Sequence, residues 1–187
     1  MSKYIPNTTY DLALNQLNNV DHATVCSTQP TTYYNAIWAD MWVADTAYDV
    51  GDEVRSPTDN DMVYECTVAG TSGSSEPAWG EVQDATFADG TATWKTHDNY
   101  SLAKCEYQPS DKTIQDRAGG GREIVFAEKS GIVSHRAGTV THTAYYDSVN
   151  KTLEYVTTTT TTAPADDDII SGRTTIFHSN TVGLYIE

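Results

Sequence analysis

The stretch that decides the fold is Met62-Val63-Tyr64-Glu65-Cys66-Thr67-Val68. Apolar and polar side chains alternate along it, so that Met62, Tyr64, Cys66 and Val68 share one face of a half-buried β-strand. A turn-forming run over 58–61 precedes it. A second strand over 91–95 is predicted after the turn at Asp89-Gly90. Residues 38–94 show almost no helix signal, and together they predict a small β module.

The same region is rich in aromatic residues, because all four tryptophans of the chain lie in it. In a domain this small, tryptophans usually form the core, and Trp38 and Trp94 are the expected core members because they close the module at its two ends. Trp79 follows a Gly/Ser-rich loop and is expected to be the most exposed. Flat rings with polar neighbours also suit the faces of sugars. The predicted glycan-binding residues are Trp79, Trp42, Tyr64 and Tyr48.

The flanks of the module have a different texture. Near the start, Tyr10, Ala13, Leu14 and Leu17 recur at helical spacing, with a capping box predicted from Thr8 to Asp11 and an end at Asn18-Asn19. Strands are predicted over 23–27, 122–127, 139–147, 153–162 and 180–187. The threonine run 157–162 also has the composition of a mucin-like linker, but it continues an alternating pattern, so a strand is favoured.

The predicted fold class is mainly β. We expect an antiparallel β-sandwich or jelly-roll-like base domain, formed by residues 1–36 and 97–187, with a short N-terminal helix. The aromatic module, 37–96, is expected to be an insert in that domain. Both of its ends fall where a host domain has loops, and loops are where insertions are tolerated.

Charge and cysteine content narrow the function classes. The formal net charge is -15. A chain this acidic is repelled by phosphate backbones, so no nucleic-acid partner is expected. No apolar run is long enough to span a bilayer, and the N-terminus lacks a secretory signal. Three cysteines, Cys26, Cys66 and Cys105, favour free thiols in a reducing cytoplasm. A Cys26–Cys105 bridge is the alternative.

Candidate catalytic and metal-binding motifs are weak. Asp166-Asp167-Asp168 lacks the ligand spacing of a calcium loop, and the glycines of 119–121 lack the context of a phosphate-binding loop. None of the five histidines accompanies a nucleophile motif; they are His22, His97, His135, His142 and His178. The chain carries 26 Asp and Glu residues, so carboxylate pairs of the glycosidase type carry almost no signal. We therefore predict no catalytic residue, no metal site and no cofactor.

The module resembles the small carbohydrate-binding modules of chitinases, and related modules inserted in virion proteins of tailed bacteriophages. The matching residues are Trp38, Tyr48-x-x-Gly51-Asp52-x-Val54, Tyr64-x-Cys66, Ala69-Gly70-Thr71-Ser72-Gly73-x-x-Glu76-Pro77-x-Trp79 and Asp89-Gly90-Thr91-x-Thr93-Trp94. This resemblance covers about a third of the chain and implies surface recognition of glycans.

The flanks resemble small structural proteins of tailed phages, on the basis of the N-terminal helix, Gly121-Arg122, the run Ala137-Gly138-Thr139-Val140-Thr141-His142 and the ending in Ile186-Glu187. This resemblance implies a non-enzymatic virion component of the capsid-decoration, head-fibre or neck/tail accessory type. Such a protein is synthesised in the host cytoplasm and forms a homo-oligomer, with a trimer favoured. Its partners would be major capsid or neck/tail proteins, and host-surface glycans. The alternatives are a free-standing carbohydrate-binding protein and a tail or adaptor subunit without glycan binding.

Overall fold

A computed structural model describes residues 6–118 and 121–159, and the backbone of 169–172, 175–180 and 183–186. The protein is mainly β, with antiparallel sheets and one short N-terminal helix, as predicted, and it is consistent with a β-sandwich-like fold. Within the described part of the chain, no helix has both the length and the apolar character needed to cross a bilayer.

The helices and strands follow one another along the chain as α1 (Asn7–Leu17), β1 (His22–Cys26), α2 (Tyr33–Ala36), β2 (Asp40–Met41), β3 (Ala47–Tyr48), β4 (Glu53–Arg55), β5 (Met62–Val68), β6 (Gly70–Thr71), β7 (Thr86–Asp89), β8 (Ala92–Asp98), β9 (Ser101–Glu106), β10 (Lys112–Asp116), β11 (Arg122–Phe126), β12 (Lys129–Val133), β13 (His142–Asp147), β14 (Thr152–Thr158), β15 (Ile169–Gly172), β16 (Thr175–Asn180) and β17 (Gly183–Ile186). One 3-10 turn, Pro109–Asp111, precedes β10.

The chain divides into two compact units, which we call the base unit (1–33 and 102–187) and the module (34–101). The module is wider than the 37–96 expected from sequence. Its two ends are joined by side-chain amides: Asn35 Nδ2 donates to the Asp98 carbonyl at 2.8 Å, and Asn99 Nδ2 donates to the Ile37 carbonyl at 2.6 Å. Residues 34–36 and 97–101 therefore belong to the module.

The base unit contains a four-stranded sheet in the order β14-β13-β1-β9, a second in the order β10-β11-β16-β17, and the pair β12-β15. Strands β1 and β9 are neighbours in the first sheet. Asp21 contacts Tyr107 and Thr24 contacts Ala103, so the two strands run antiparallel. The chain leaves β1 and, after the whole module, returns in the adjacent strand. The module is thus an insert in one strand-to-strand connection.

Helix α1 packs its apolar face into the core of the base unit, where Leu14 and Leu17 are buried as predicted. The predicted capping box is wrong. The helix begins at Asn7, one residue before Thr8, and no side chain caps its N-terminus. Asp11 instead pairs with Arg122 Nε at 2.7 Å, which ties the helix to β11. The side chain of Ala13 lies outside the described residues.

Several predicted strands of the base unit differ from their expected bounds. The strand predicted over 180–187 is described as β17 only over Gly183–Ile186, while Asn180 ends β16. Strand β13 begins at His142 rather than at 139, and residues 144–147 are all buried, so its two faces do not divide into buried and exposed. The reason is its central place between β14 and β1. Strand β14 spans 152–158, so it begins one residue before the predicted 153–162, and 160–162 lie outside the described residues. So do the acidic loop 166–168 and Gly119-Gly120.

The module contains a five-stranded sheet in the order β2-β4-β5-β8-β7 and the small pair β3-β6. Strand β5 spans 62–68 as predicted. Strand β8 follows the predicted turn at Asp89-Gly90 but extends from 92 to 98, beyond the expected 95. All pairings in the large sheet are antiparallel except β2 with β4, which is parallel. One face of this sheet carries the candidate site.

Candidate functional site in the aromatic module

An aromatic cluster covers one face of the module sheet. Its buried members come from β4, β5, β8 and the segment after β2, and half-buried residues pack around them. The buried members are Trp42, Val54, Tyr64, Cys66, Ala92 and Trp94, and the half-buried ones are Ala44, Tyr48, Met62, Trp79 and Phe87. The alternation of β5 placed Tyr64 and Cys66 on this face, as predicted. We call this group the aromatic cluster.

A buried carboxylate organises the cluster. Asp89, 4% exposed, accepts the indole N–H of Trp42 at 2.8 Å and that of Trp94 at 3.2 Å, both on Oδ2. Its Oδ1 accepts the backbone N–H of Gly73 at 2.8 Å. Three donors surround a carboxylate that burial alone would make unfavourable, so the charge is compensated inside the module. Asp89 thereby holds two tryptophans and the loop at Gly73 in place.

The loop that follows β5 is fastened to the β7–β8 turn by close backbone contacts. Thr91 N donates to the Thr71 carbonyl at 2.8 Å, and Thr71 N donates to Thr91 Oγ1 at 2.8 Å. Gly90 has φ +61, and a Cβ there would stand 2.2 Å from the Thr71 carbonyl oxygen. A Cβ on Gly70 would stand 2.4 Å from the Thr91 carbonyl carbon. Both glycines are required by this close approach.

Trp79 lies at the edge of the cluster and is half-buried. Its ring centroid lies 4.5 Å from that of Tyr64, and its edge-on contacts with Trp42 and Phe87 have centroid distances of 6.0 and 5.8 Å. Its indole N–H donates to Glu76 Oε1 at 2.6 Å, and Ser56 Oγ donates to the same oxygen at 3.3 Å. The N–H is thus satisfied within the module, and the ring as a whole is only partly covered.

The other three predicted glycan-binding residues differ in exposure. Tyr64 is fully buried and Trp42 is 8% exposed, so neither ring presents a face at the surface of the module, and their glycan-binding role stays a prediction. The Tyr64 hydroxyl donates to the Gly80 carbonyl at 2.9 Å, and burial raises its pKa. Tyr48 is half-buried, packs edge-on against Trp94 at 4.9 Å, and its pKa is also raised by burial. Tyr64 and Trp42 support Trp79 from beneath.

Trp38 is not a core residue, although its position at the end of the module predicted that it would be. It is half-buried and lies outside the aromatic cluster, with the guanidinium carbon of Arg55 at 4.4 Å from its ring centroid. The prediction for Trp94 is confirmed, since that ring is fully buried. Trp94 lies in β8, opposite Cys66 of the central strand, whereas Trp38 precedes β2 at the sheet edge.

The opposite face of the sheet carries a buried histidine. His97 stacks on Tyr34 with a centroid distance of 3.9 Å, and its Nε2 lies 3.1 Å from Glu65 Oε2. Burial lowers the pKa of His97, and the hydrogen bond and charge of Glu65 offset only part of that effect. This pair lies beside the Asn35 and Asn99 bonds that join the two ends of the module, so it is a structural element of that junction.

The other sequence candidates stay apart from one another. His22 contacts Asp21 at 2.8 Å and His142 contacts Thr141 at 2.8 Å, while the side chain of His178 lies outside the described residues. All three cysteines are free, so the alternative Cys26–Cys105 bridge is not formed. Within 6–118 and 121–159, no group of three or more His, Cys, Asp or Glu side chains is arranged to hold a metal ion.

Sequence reasoning missed the two carboxylates that hold the site together. Asp89 reads as an ordinary turn residue because glycine follows it, and Glu76 reads as loop. Only the folded chain brings Asp89 to Trp42, 47 residues away in sequence. A usable signal was that each buried indole N–H requires an acceptor, and Glu76 and Asp89 stand three and five residues before Trp79 and Trp94.

Fold and site together define the class: a two-unit, mainly β protein whose inserted module has an aromatic core held by a buried carboxylate, with the half-buried Trp79 at the edge of that core. Comparisons of this chain with protein-family models, with curated proteins and with solved structures gave no match.

Proposed function

We propose that the chain is a non-enzymatic structural component of a tailed phage particle. The base unit attaches to the capsid or neck, and the module serves surface decoration or weak adhesion to host glycans. The resemblance of both units to phage proteins supports this role. The placement of the module between two neighbouring strands supports it further, because such an insert adds a binding surface without interrupting the base sheet.

The observation that supports the adhesion role is the partial exposure of Trp79 and the contacts that hold its ring. Its N–H is bound by Glu76 and one side of its ring is backed by Tyr64, so what remains accessible is a rigid apolar surface. Sugars present C–H groups on one face and hydroxyls at the rim, and an aromatic ring held in place binds such a face. One half-buried ring supports weak binding, which several copies in a homo-oligomer would strengthen by avidity.

Glycan titration of the full chain tests this role. Soluble N-acetylglucosamine oligosaccharides should bind the wild type, and Trp79→Ala should weaken that binding by about tenfold or more, the loss of roughly 1.4 kcal/mol. Trp38→Ala is the matched control, because it truncates a half-buried tryptophan of the same module outside the aromatic cluster. Unchanged binding by Trp79→Ala, with thermal unfolding like that of the wild type, would contradict the adhesion role.

The particle role has its own test. Antibodies against the chain should label purified phage particles from the source of the sequence at one position, the head, neck or tail. Absence of the chain from intact particles would overturn the structural assignment. Light scattering should report an oligomer, whereas a monomer that retains glycan affinity would favour a free-standing carbohydrate-binding protein.

The burial of Tyr64 and Trp42 favours a second candidate, a tail or adaptor subunit with no glycan affinity. In that case the rings serve only as the core of the module, as is usual in domains of this size. A glycan array on which the wild type binds nothing, combined with presence in the particle, would select this candidate over the first.

A further inference from the structure

Arg55 differs from the ion-paired basic residues of the chain. Three of those bind carboxylates within 2.8 Å: Lys95 with Asp84, Lys129 with Asp111, and Arg122 with Asp11 and Asp116. The Arg55 guanidinium forms no ion pair and no side-chain hydrogen bond with any residue in the described part of the chain, and its Nε is buried without an acceptor. In a chain with 26 acidic residues, an unpaired arginine requires an explanation.

The stacking partner of Arg55 leaves its donors free. The guanidinium carbon lies 4.4 Å from the ring centroid of Trp38. A cation over an aromatic face uses the flat side of the guanidinium, while its N–H groups point outward in the plane. The contact with Trp38 orients the guanidinium but gives its N–H groups no hydrogen-bond acceptor. A buried donor left without an acceptor is unfavourable, so a ligand that supplies an acceptor to the Arg55 guanidinium would relieve this cost.

The backbone holds Arg55 and Trp38 together before any ligand is present. Arg55 lies in β4, and the segment after Trp38 pairs with it: Met41 is opposite Arg55 in the parallel register, and Trp42 N donates to the Arg55 carbonyl at 3.0 Å. Val54 belongs to the aromatic cluster, so Arg55, the next residue, lies on the other face of the sheet. The pair is therefore separate from Trp79.

We infer that Arg55 and Trp38 form a binding site for a carboxylate, carried by an acidic sugar such as a uronic acid. The planar fork of arginine matches a carboxylate in bidentate geometry. Glu53, two residues before Arg55 on β4, shares its face of the sheet, and a neighbouring carboxylate repels a phosphate dianion more strongly than a monoanion. The half-buried Trp38 ring supplies an apolar surface beside the charge for the body of a sugar.

Titration of the full chain with trigalacturonate tests the inference, with NMR detection of the Arg55 Nε–H and the tryptophan indole N–H signals. Trigalacturonate should shift the signals of Arg55 and Trp38. Its methyl ester, which has the same rings without the charge, should bind about tenfold more weakly or not at all. Arg55→Met should abolish binding, and Arg55→Lys should weaken it because the ammonium lacks the planar fork.

Control variants separate this inference from the proposed adhesion role. Trp79→Ala should leave trigalacturonate binding unchanged, and Arg55→Met should leave binding of N-acetylglucosamine oligosaccharides unchanged. Arg55→Met removes an uncompensated cation, so its unfolding midpoint should equal or exceed that of the wild type. If Arg55→Met fails to fold, Arg55→Lys serves in its place, because it keeps the charge and the packing.

Four results would overturn the inference. One is equal binding of trigalacturonate and its methyl ester. Another is loss of trigalacturonate binding in Trp79→Ala but not in Arg55→Lys. The third is equal or tighter binding of a tripeptide through its C-terminal carboxylate, which would make the site a peptide receptor. Absence of any shift at Arg55 with trigalacturonate also counts against it.

Discussion

The carboxylate of Asp89 accepts the indole N–H of Trp42 at 2.8 Å, and both residues are buried. They come from different parts of the module, since Asp89 ends β7 whereas Trp42 follows β2 at the other edge of the sheet. A hydrogen bond between a charged and a neutral group in a low-dielectric interior is stronger than one at the surface. This contact therefore ties the two edges of the module sheet across the aromatic cluster.

Asp89→Ala should strongly destabilise the module, by about 3–6 kcal/mol, because two indole N–H groups and one backbone N–H lose a charged acceptor. All four tryptophans lie between 38 and 94, so tryptophan fluorescence during denaturation reports the module alone. Asp40→Ala is the control, an exposed aspartate in β2 that should change the free energy of unfolding by about 0.5 kcal/mol or less. Equal effects of the two variants would contradict the role given to Asp89.

Gly90→Ala should destabilise the module by about 2–4 kcal/mol, because φ is +61 and the new methyl group would meet the Thr71 carbonyl oxygen at 2.2 Å. Gly80→Ala is the matched control in the same module. Its Cβ would meet nothing nearer than Thr96 Oγ1 at 3.4 Å, so a change of about 1 kcal/mol or less is expected. Urea denaturation followed by fluorescence measures both. A Gly90→Ala variant as stable as Gly80→Ala would show that the turn relaxes freely.

The stability of the module should fall as the pH is lowered from 7.5 to 5. Burial lowers the pKa of His97 below the value of 6.5 that it has in the unfolded chain, so the unfolded chain binds a proton first. Stability is fully present above pH 6.5 and is lost progressively as the pH falls toward the pKa of the folded state. His97→Gln should flatten this part of the profile. Equal slopes for the two proteins would assign the pH dependence to another group.

The thiols should be inert in the folded protein. Burial raises the pKa of Cys26 to about 12 and also raises the pKa values of Cys66 and Cys105. At pH 7 the thiolate fraction of Cys26 is then about 10⁻⁵. Iodoacetamide should label none of the three during the time in which it labels glutathione, and all three after denaturation without reductant. Labelling of a single thiol in the denatured chain would reveal a disulfide between the other two.

Short-range patterns in the sequence predicted the elements they belong to. The alternation of 62–68 predicted β5 and the shared face of Tyr64 and Cys66, although Val63 on the opposite face is buried too. The helical spacing of Leu14 and Leu17 predicted the buried face of α1. The Thr8 cap failed because Asp11 has a better partner in Arg122, 111 residues away. The core prediction for Trp38 failed because this residue precedes the edge strand β2, outside the aromatic cluster, and Arg55 stacks on one face of its ring.

The partners of the candidate site were not predictable for the same reason. The Trp42 and Gly73 contacts of Asp89 span 47 and 16 residues, so they depend on the tertiary fold, and only the Trp94 contact, which spans 5 residues across the β7–β8 turn, is local. The residues of the site were therefore visible in the sequence as aromatic positions, whereas their division into buried supports and one surface ring needed the tertiary structure.

The adjacency of β1 and β9 determines how the module can be removed or replaced by recombination. Because the two junctions of the module open from neighbouring antiparallel strands, a recombination event that removes 34–101 would leave ends that a tight turn can join. The base sheet would keep its register, and a different module could enter at the same place. The module can therefore be exchanged in one genetic step while the base unit stays under separate selection.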